Sequence, residues 1–583
     1  MDDRRRIPGG EGSPRALCDR DSSTRPQGVG AEGTVTGLRH RRRRVPAKDP
    51  EIDRALEAMS APELRAAVRA VLDELDEDVK ASVVDTLIGR ATKASSGWRP
   101  ARPSQRIVED AQSFADAARR IGHADPDDVT EHLRRATKAF LAGDHASARA
   151  VFKAILPPIA SVDIDLGQHE LVEEVLGVDA RACVAQYVAS VYTTTPLRNR
   201  ADAILRALEQ VEGVGTLLSP IKDMEDVSAG VLPDLRAFLP QWVKRLQRFR
   251  PSKDEWETEH ERWLRDAVFR ADGVDGLERI ARKTKRPQAC LAWYEALADQ
   301  GDWTAAIKAC DAAARLVRQS HWRGELLDGG ALAAQELGLP DLSKRLEAAW
   351  RAAPSLTRLL RWLAVDGHEQ EPLRTKATRA VARCPKMAGR QVGLLRVLLG
   401  DVTGAATLLS KSPGLGWSNP DHPGHSLFPL LATLLSNGAI GDALVTELEA
   451  TVRDPLESFA MTDEGHKPKL TTPSMVALIQ RARPGITPTD PDRDAAIDAM
   501  RIAAEKRTEG ILGNSRRQHY GHAALLVASC VAFAPQSRAA ETLRWATALR
   551  QQYWRRHAFR AELARACESL GVLVPSWTPR SVA

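Results

Sequence analysis

Three groups of residues have the types and spacings that chemistry asks for. The first is histidine. His422 and His425, in Asp421-His422-Pro423-Gly424-His425, have a metal-like spacing, but a tetrahedral zinc site needs a third and fourth ligand and none is close in sequence. Pro420, Pro423 and Gly424 explain the segment as a turn. His519 and His522 share a face if helical, and His557 is available to join them. Arg516, Arg517, Arg555 and Arg556 would repel a cation there, so an ordinary polar helix face is the plainer expectation. No metal and no cofactor are expected.

The second group pairs bases with aromatics. Trp242-Val243-Lys244-Arg245-Leu246-Gln247-Arg248-Phe249 puts Lys244, Arg245 and Arg248 beside Trp242, Leu246 and Phe249, and Tyr553-Trp554-Arg555-Arg556-His557-Ala558-Phe559-Arg560 repeats the theme. Rings stacked with arginine can hold single-stranded nucleic acid. The favoured expectation is an amphipathic helix with aromatics in the core and arginines snorkelling outward, since Asp254, Glu255, Glu257 and Glu562 lie close. The third group is the run Arg41-Arg42-Arg43-Arg44, able to act as a flexible phosphate-binding arm.

Motifs of catalysis are missing from the sequence. Gly329-Gly330 and Gly414-Leu415-Gly416 lack the Gly-Lys-Ser/Thr ending of a phosphate loop. There is no Gly-x-Ser-x-Gly elbow and no His-Glu-x-x-His. Acid pairs such as Asp127-Asp128 and Glu173-Glu174 read as solvated helix starts. The expectation is a protein that is not an enzyme, with no catalytic residue to name.

Charge separates the chain into parts. Of 583 residues, 83 are Lys or Arg and 77 Asp or Glu, a net +6. Residues 1–50 hold twelve of the bases and seven of the acids, so nearly all of the excess lies in a Gly-, Pro-, Ser- and Arg-rich stretch poor in aliphatics. Such a stretch cannot bury enough surface to offset its ordering entropy, and residues 1–49 are expected to be a disordered basic tail. The rest is close to neutral, which removes the domain-wide footprint of a nucleic-acid binder. Seven cysteines do not make a disulfide scaffold. The apolar runs are too short to span a bilayer and no signal peptide is visible. A cytoplasmic protein with no membrane partner is expected.

The elements that must position these groups read as helices throughout. Ser60-Ala61-Pro62-Glu63 has the form of a capping box, followed at helical spacing by Leu64, Val68, Val71, Leu72 and Leu75. A second amphipathic helix covers residues 78–88, with Val79, Val83, Val84, Leu87 and Ile88 inward and Gly89 offering a stop. Pro157-Pro158 marks a loop, followed by the only alternating run, Ser161 to Leu166. Four segments share a phase: Gly143-Asp144, Gly301-Asp302, Gly400-Asp401 and, more loosely, Gly338-Leu339-Pro340-Asp341. Each has an apolar helix end, a glycine able to turn left-handed and an acid to cap the next helix. Ala148, Ala306 or Ala405 then allows close approach, and Phe152, Cys310 or Leu409 fills the groove beside it.

At these residues the chain resembles the tetratricopeptide-repeat pattern, in which a Gly-Asp turn is followed by Ala and then an aromatic. The first-helix Trp-Leu-Gly signature is not visible and the spacing of copies varies. The resemblance implies an all-α fold, an α-solenoid of stacked antiparallel helical hairpins whose neighbours cover one another. Gly414-Leu415-Gly416-Trp417-Ser418 and His422-Pro423-Gly424 also look like the helical region that accompanies bacterial SWIM-type zinc fingers, as do Arg516 to Tyr520 and Tyr553 to His557. The finger itself is absent, because no Cys-x-Cys pair exists. This resemblance implies the interaction half of such a system. The organisation expected is a tail over 1–49, a hairpin over 50–97, helical repeats over 105–250, TPR-like repeats over 251–412 and a C-terminal helical region over 413–583. The expected function is a scaffold for a protein or peptide partner. The alternative is a nucleic-acid accessory protein acting through the tail, Trp242, Arg245, Arg248, Trp554, Arg555 and Arg556.

Overall fold

Alanine, leucine, arginine and glutamate lose little freedom in a helix, and helix dominates the chain. A computed structural model describes residues 50–94, 97–168, 171–228, 230–365, 372–419, 421–436, 442–450, 468–572, 574 and 577. The tail and its Arg41, Arg42, Arg43 and Arg44 lie outside them. The chain divides into two units, residues 1–83 and 84–583.

The first unit holds α1 (Pro50–Ala58), α2 (Ala61–Glu74) and the start of α3 (Glu77–Lys93). Glu63 accepts from the Ser60 N–H (2.8 Å) and Oγ (2.6 Å), as the capping box requires. The apolar stripe is only half covered: Val68 and Val71 are 39% and 57% exposed. Gly89 does not stop the next helix, which continues to Lys93, because glycine ends a helix only where the backbone turns left-handed.

The second unit begins with α4 (Arg106–Ile121), α5 (Pro126–Leu141), α6 (His145–Ala160), α7 (Ala180–Thr194), α8 (Arg200–Gln210), α9 (Pro220–Val227) and α10 (Leu235–Leu246). Next come α11 (Glu259–Thr284), α12 (Pro287–Asp299), α13 (Trp303–Leu316), α14 (Ser320–Glu336), α15 (Leu342–Ala352) and α16 (Leu356–Ala364). Then follow α17 (Leu373–Val381), α18 (Gly389–Leu399), α19 (Val402–Ser410), α20 (Gly424–Leu435), α21 (Asp442–Ala450) and α22 (Met475–Ala482). The last are α23 (Asp490–Gly513), α24 (Tyr520–Ala532), α25 (Ala539–Gln552) and α26 (His557–Ser569). Among the described residues there is no strand, only an isolated bridge between His123 and Asp165. It falls in the alternating run, where Ile164 and Leu166 are buried. Pro157 and Pro158 stand inside α6 rather than in a loop. Their carbonyls accept from Ser161 (2.9 Å) and Ile164 (3.1 Å), so the bend comes later.

All four glycine corners join two helices, α5–α6, α12–α13, α14–α15 and α18–α19, and Gly143, Gly301, Gly338 and Gly400 all have positive φ, between 63° and 82°. In all four the amide after the glycine returns to a carbonyl five residues back: Asp144 to Ala139, Asp302 to Leu297, Leu339 to Ala334 and Asp401 to Arg396, at 2.9–3.0 Å. The same aspartates cap the following helix, accepting from Ser147, Ala305 and Gly404. At the looser corner Asp341 caps nothing with its side chain and instead pairs with Arg345 (2.9 Å). Ala148, Ala306, Ala405, Phe152, Cys310 and Leu409 are all fully buried.

From α10 to α16 each helix packs on the next, and α11 and α12 also reach α13 and α14. Beyond α18 the order breaks: α19 and α20 pack on α23, and α24 on α26. The buried side chains form separate clusters. One ends at Ala267 and the next begins at Leu277, on either side of a break in α11 at Gly273 (φ 61°, ψ −148°). Gly329 and Gly330 sit inside α14, where a Cβ on Gly329 would lie 2.8 Å from the Tyr294 ring and 3.1 Å from Cys310 Sγ. They are packing residues. Gly329→Ala should therefore lower stability by about 1–3 kcal/mol through over-packing. Gly89→Ala, in open space inside α3, should raise it by about 1 kcal/mol; urea unfolding of the two variants checks both signs.

Candidate functional site

Trp242, at 1% exposure, is core: it stacks on Phe238 (5.9 Å), which meets Tyr192 edge-on (5.0 Å). Its ring is closed to a stacking base. Arg245 crosses from α10 to Asp202 of α8 (2.6 Å), while Arg248 is exposed. The next ring is different. Phe249 lies between the His260 ring (3.7 Å, stacked) and the Arg245 guanidinium (5.2 Å).

Beside Phe249 opens a cleft of about 290 Å³ between the end of α10, α11 and the start of α12. Leu246, Phe249, Leu264 and Ile280 supply its apolar wall. Its carboxylates are occupied. Glu257 is held by Arg262 and Arg265, and Glu261 by Arg286 (3.2 Å) and by the Thr258 N–H and Oγ at the α11 cap. Burial pushes the His260 imidazole below its ordinary value. Lys283 remains at the edge, exposed. Such a cavity suits an apolar side chain with an acid near its rim better than proton transfer. The cleft is not legible in the sequence; its only trace there is the Thr258-Glu259-His260-Glu261 capping box that starts α11.

Both histidines of the first pair and His522 of the second, far apart in the sequence, meet around Trp417. The rings of His422, His425 and His522 lie 5.2–5.5 Å from it, and the Arg507 guanidinium lies over it at 5.5 Å. Among the described residues no group of three or more His, Cys, Asp or Glu is placed to hold a metal. His422 is spent on the backbone: Nε2 is 2.9 Å from the Pro413 carbonyl, and Nδ1 accepts from the Gly424 N–H at 3.0 Å. Accepting at Nδ1 fixes a neutral ring with its proton on Nε2.

Cations clamp the same loop. Arg390 donates to the carbonyls of Trp417, Asn419 and His422, and Lys506 to those of Ser410 and Ser412. Gly414 is pressed on the Lys506 carbonyl, where a Cβ would come within 2.2 Å. The Gly-Leu-Gly-Trp segment is therefore the joint that seats the α19–α20 loop on α23.

The second basic–aromatic stretch divides differently from the first. Phe559 is buried with Tyr553 edge-on to it (6.1 Å), yet Trp554 is 52% exposed with Arg555 over its ring (4.9 Å). Arg556 reaches back to the Leu512 carbonyl (3.1 Å). The two stretches rest on different supports, α10 on α8 and α11, α26 on α24. The described cysteines are free thiols, and burial raises them, Cys183 to about 12 and Cys290, Cys384 and Cys567 to about 11. Among the described residues no single helix is long and apolar enough to cross a membrane. No family model matches the chain, and neither does any curated protein.

Burial, then the charges of His425, Arg390 and Arg507, hold His422 below its ordinary value near 6.5, against the pull of the Pro413 carbonyl. The folded chain thus takes up this proton later than the unfolded chain does. Its contribution is complete above pH about 6.5 and is lost as pH falls below that. His422→Asn should flatten the loss of thermal stability between about pH 7 and 5; an unchanged pH profile would contradict the assignment.

Proposed function

We propose that this chain is a non-enzymatic scaffold that holds a protein or peptide partner in the cytoplasm, with residues 251–412 stacked as TPR-like antiparallel hairpins of an α-solenoid. The observation that carries this reading is the recurring corner. One arrangement of left-handed glycine, returning amide and capping aspartate joins helix pairs that then pack on the next pair. Hairpins of this kind need their neighbours for cover, and arrays of them present extended binding surfaces. The cleft beside Phe249 supplies a seat for one bulky apolar side chain of the partner. Lys283, exposed at its margin, suits an acidic flank.

A non-catalytic role is supported by the way the chemistry-bearing groups are used. The carboxylates of the cleft are ion-paired, His422 is committed to backbone groups, and burial holds the thiols protonated. None is left as an activated nucleophile or base.

The test is cross-linking of the full-length chain to partners, repeated with Ile280→Trp, which fills the cleft, and with the exposed-site variant Lys283→Glu. Both should weaken partner capture by about tenfold or more, equivalent to about 1.4 kcal/mol. A partner held equally by both variants would remove the cleft from the reading, and catalytic turnover by the purified chain would remove the reading itself.

A further inference from the structure

The corner between α25 and α26 gathers Arg550, Arg555, Arg556 and Arg560. None of them has a carboxylate within ion-pair distance among the described residues. Arg538, on the same α25 segment, holds Asp494, Asp498 and Glu541, and Arg501 shares the last two. The corner arginines contact only carbonyls and rings. Arg556 donates to Leu512 and Arg560 to Trp554, both at 3.1 Å, while Arg550 lies over Trp577 (5.6 Å) and Arg555 over Trp554 (4.9 Å).

Two donors are left over. The Nε atoms of Arg550 and Arg560 are buried and have no hydrogen-bond partner among the described residues. Burial, and after it the charge of Arg560, lowers the Arg550 guanidinium, so the two cations feel each other with nothing between them. Adjacent like charges repel, and a bound anion would offset that cost. Acids close by are engaged elsewhere: Glu562 of α26 pairs with Arg565 (2.6 Å). Glu505 and Glu509 of α23 act on the Tyr553 hydroxyl, and neither pairs with an arginine of the corner. Next to this charge, Trp554 presents half of its surface to solvent.

We propose that the α25–α26 corner is a binding site for single-stranded nucleic acid, with backbone phosphates bridging Arg550, Arg555 and Arg560 and a base stacked on Trp554. The exposed indole decides between anions. An acidic peptide would satisfy the arginines but brings a flat ring only where it carries an aromatic side chain, whereas every nucleotide brings one beside its phosphate. The site is independent of the scaffold reading, since it uses neither the cleft nor the repeated corners.

The experiment is fluorescence anisotropy of a labelled oligothymidylate of about 20 nucleotides, titrated with the full-length chain from about 50 to 200 mM salt. Affinity should fall steeply with salt. Arg555→Gln with Arg560→Gln should reduce the slope of log affinity against log salt by about 1.4, at about 0.7 per phosphate contact. Trp554→Ala should weaken binding by about tenfold and leave that slope unchanged. Trp554 and Arg555 are exposed, so Trp554→Ala and Arg555→Gln alone keep the test valid where Arg560→Gln fails to fold. No binding at low salt would overturn the proposal. So would a wild-type slope in the arginine variants, which would place binding on another part of the chain. Polyglutamate competing as well as the oligonucleotide would also overturn it, in favour of an acidic protein.

Discussion

Every helix leaves N–H groups unpaired at its start and carbonyls unpaired at its end, and a chain built almost wholly of helices meets that demand at every turn. Aspartate and glycine meet it at the corners. Elsewhere the carbonyls are met by cations. At the end of α16, Lys376 covers the carbonyls of Trp362 and Val365 while Arg481 covers those of Leu363 and Ala364. Arg390 and Lys506 do the same along the α19–α20 loop, and Arg200 does so for Thr195 and Pro233. Much of the arginine and lysine of the near-neutral body is backbone capping rather than a surface for polyanions.

That use of charge gives the two proposed binding regions their contrast. In the cleft beside α11 the acids and arginines neutralise each other, which leaves the apolar wall as the feature a partner can use. At the α25–α26 corner the arginines lack acids, and the charge itself is what remains.

What the sequence reveals follows the range of the interactions. Corners are local: glycine, acid and small residue act within about two turns, so Gly143, Gly301 and Gly400 are legible. Asp341, three residues after its glycine instead of one, pairs with Arg345, and its weaker spacing marks it as the loosest copy. Ser515 makes the same left-handed turn (φ 52°), with Arg516 N–H returning to the Ile511 carbonyl, and no glycine announces it. Gly89 fails as a stop because nothing in the residue itself says which way the backbone turns. The convergence of His422, His425 and His522 on Trp417, the burial of Trp242 against the exposure of Trp554, and the cleft all depend on distant elements. Periodicity places a ring on a face; it does not say whether another helix arrives to cover that face.

The pairing of α19 with α23 spans the roughly 80 residues between Ser410 and Asp490. As the chain leaves the ribosome, the α12–α15 hairpins find their cover within a few dozen residues, whereas α19 and the loop after it must wait. Until α23 emerges, the glycine-rich joint has nothing to close on, and the apolar flank of α19 and α20 is exposed nascent surface. Late synthesis is therefore the interval in which this half of the molecule carries apolar surface with no partner to cover it.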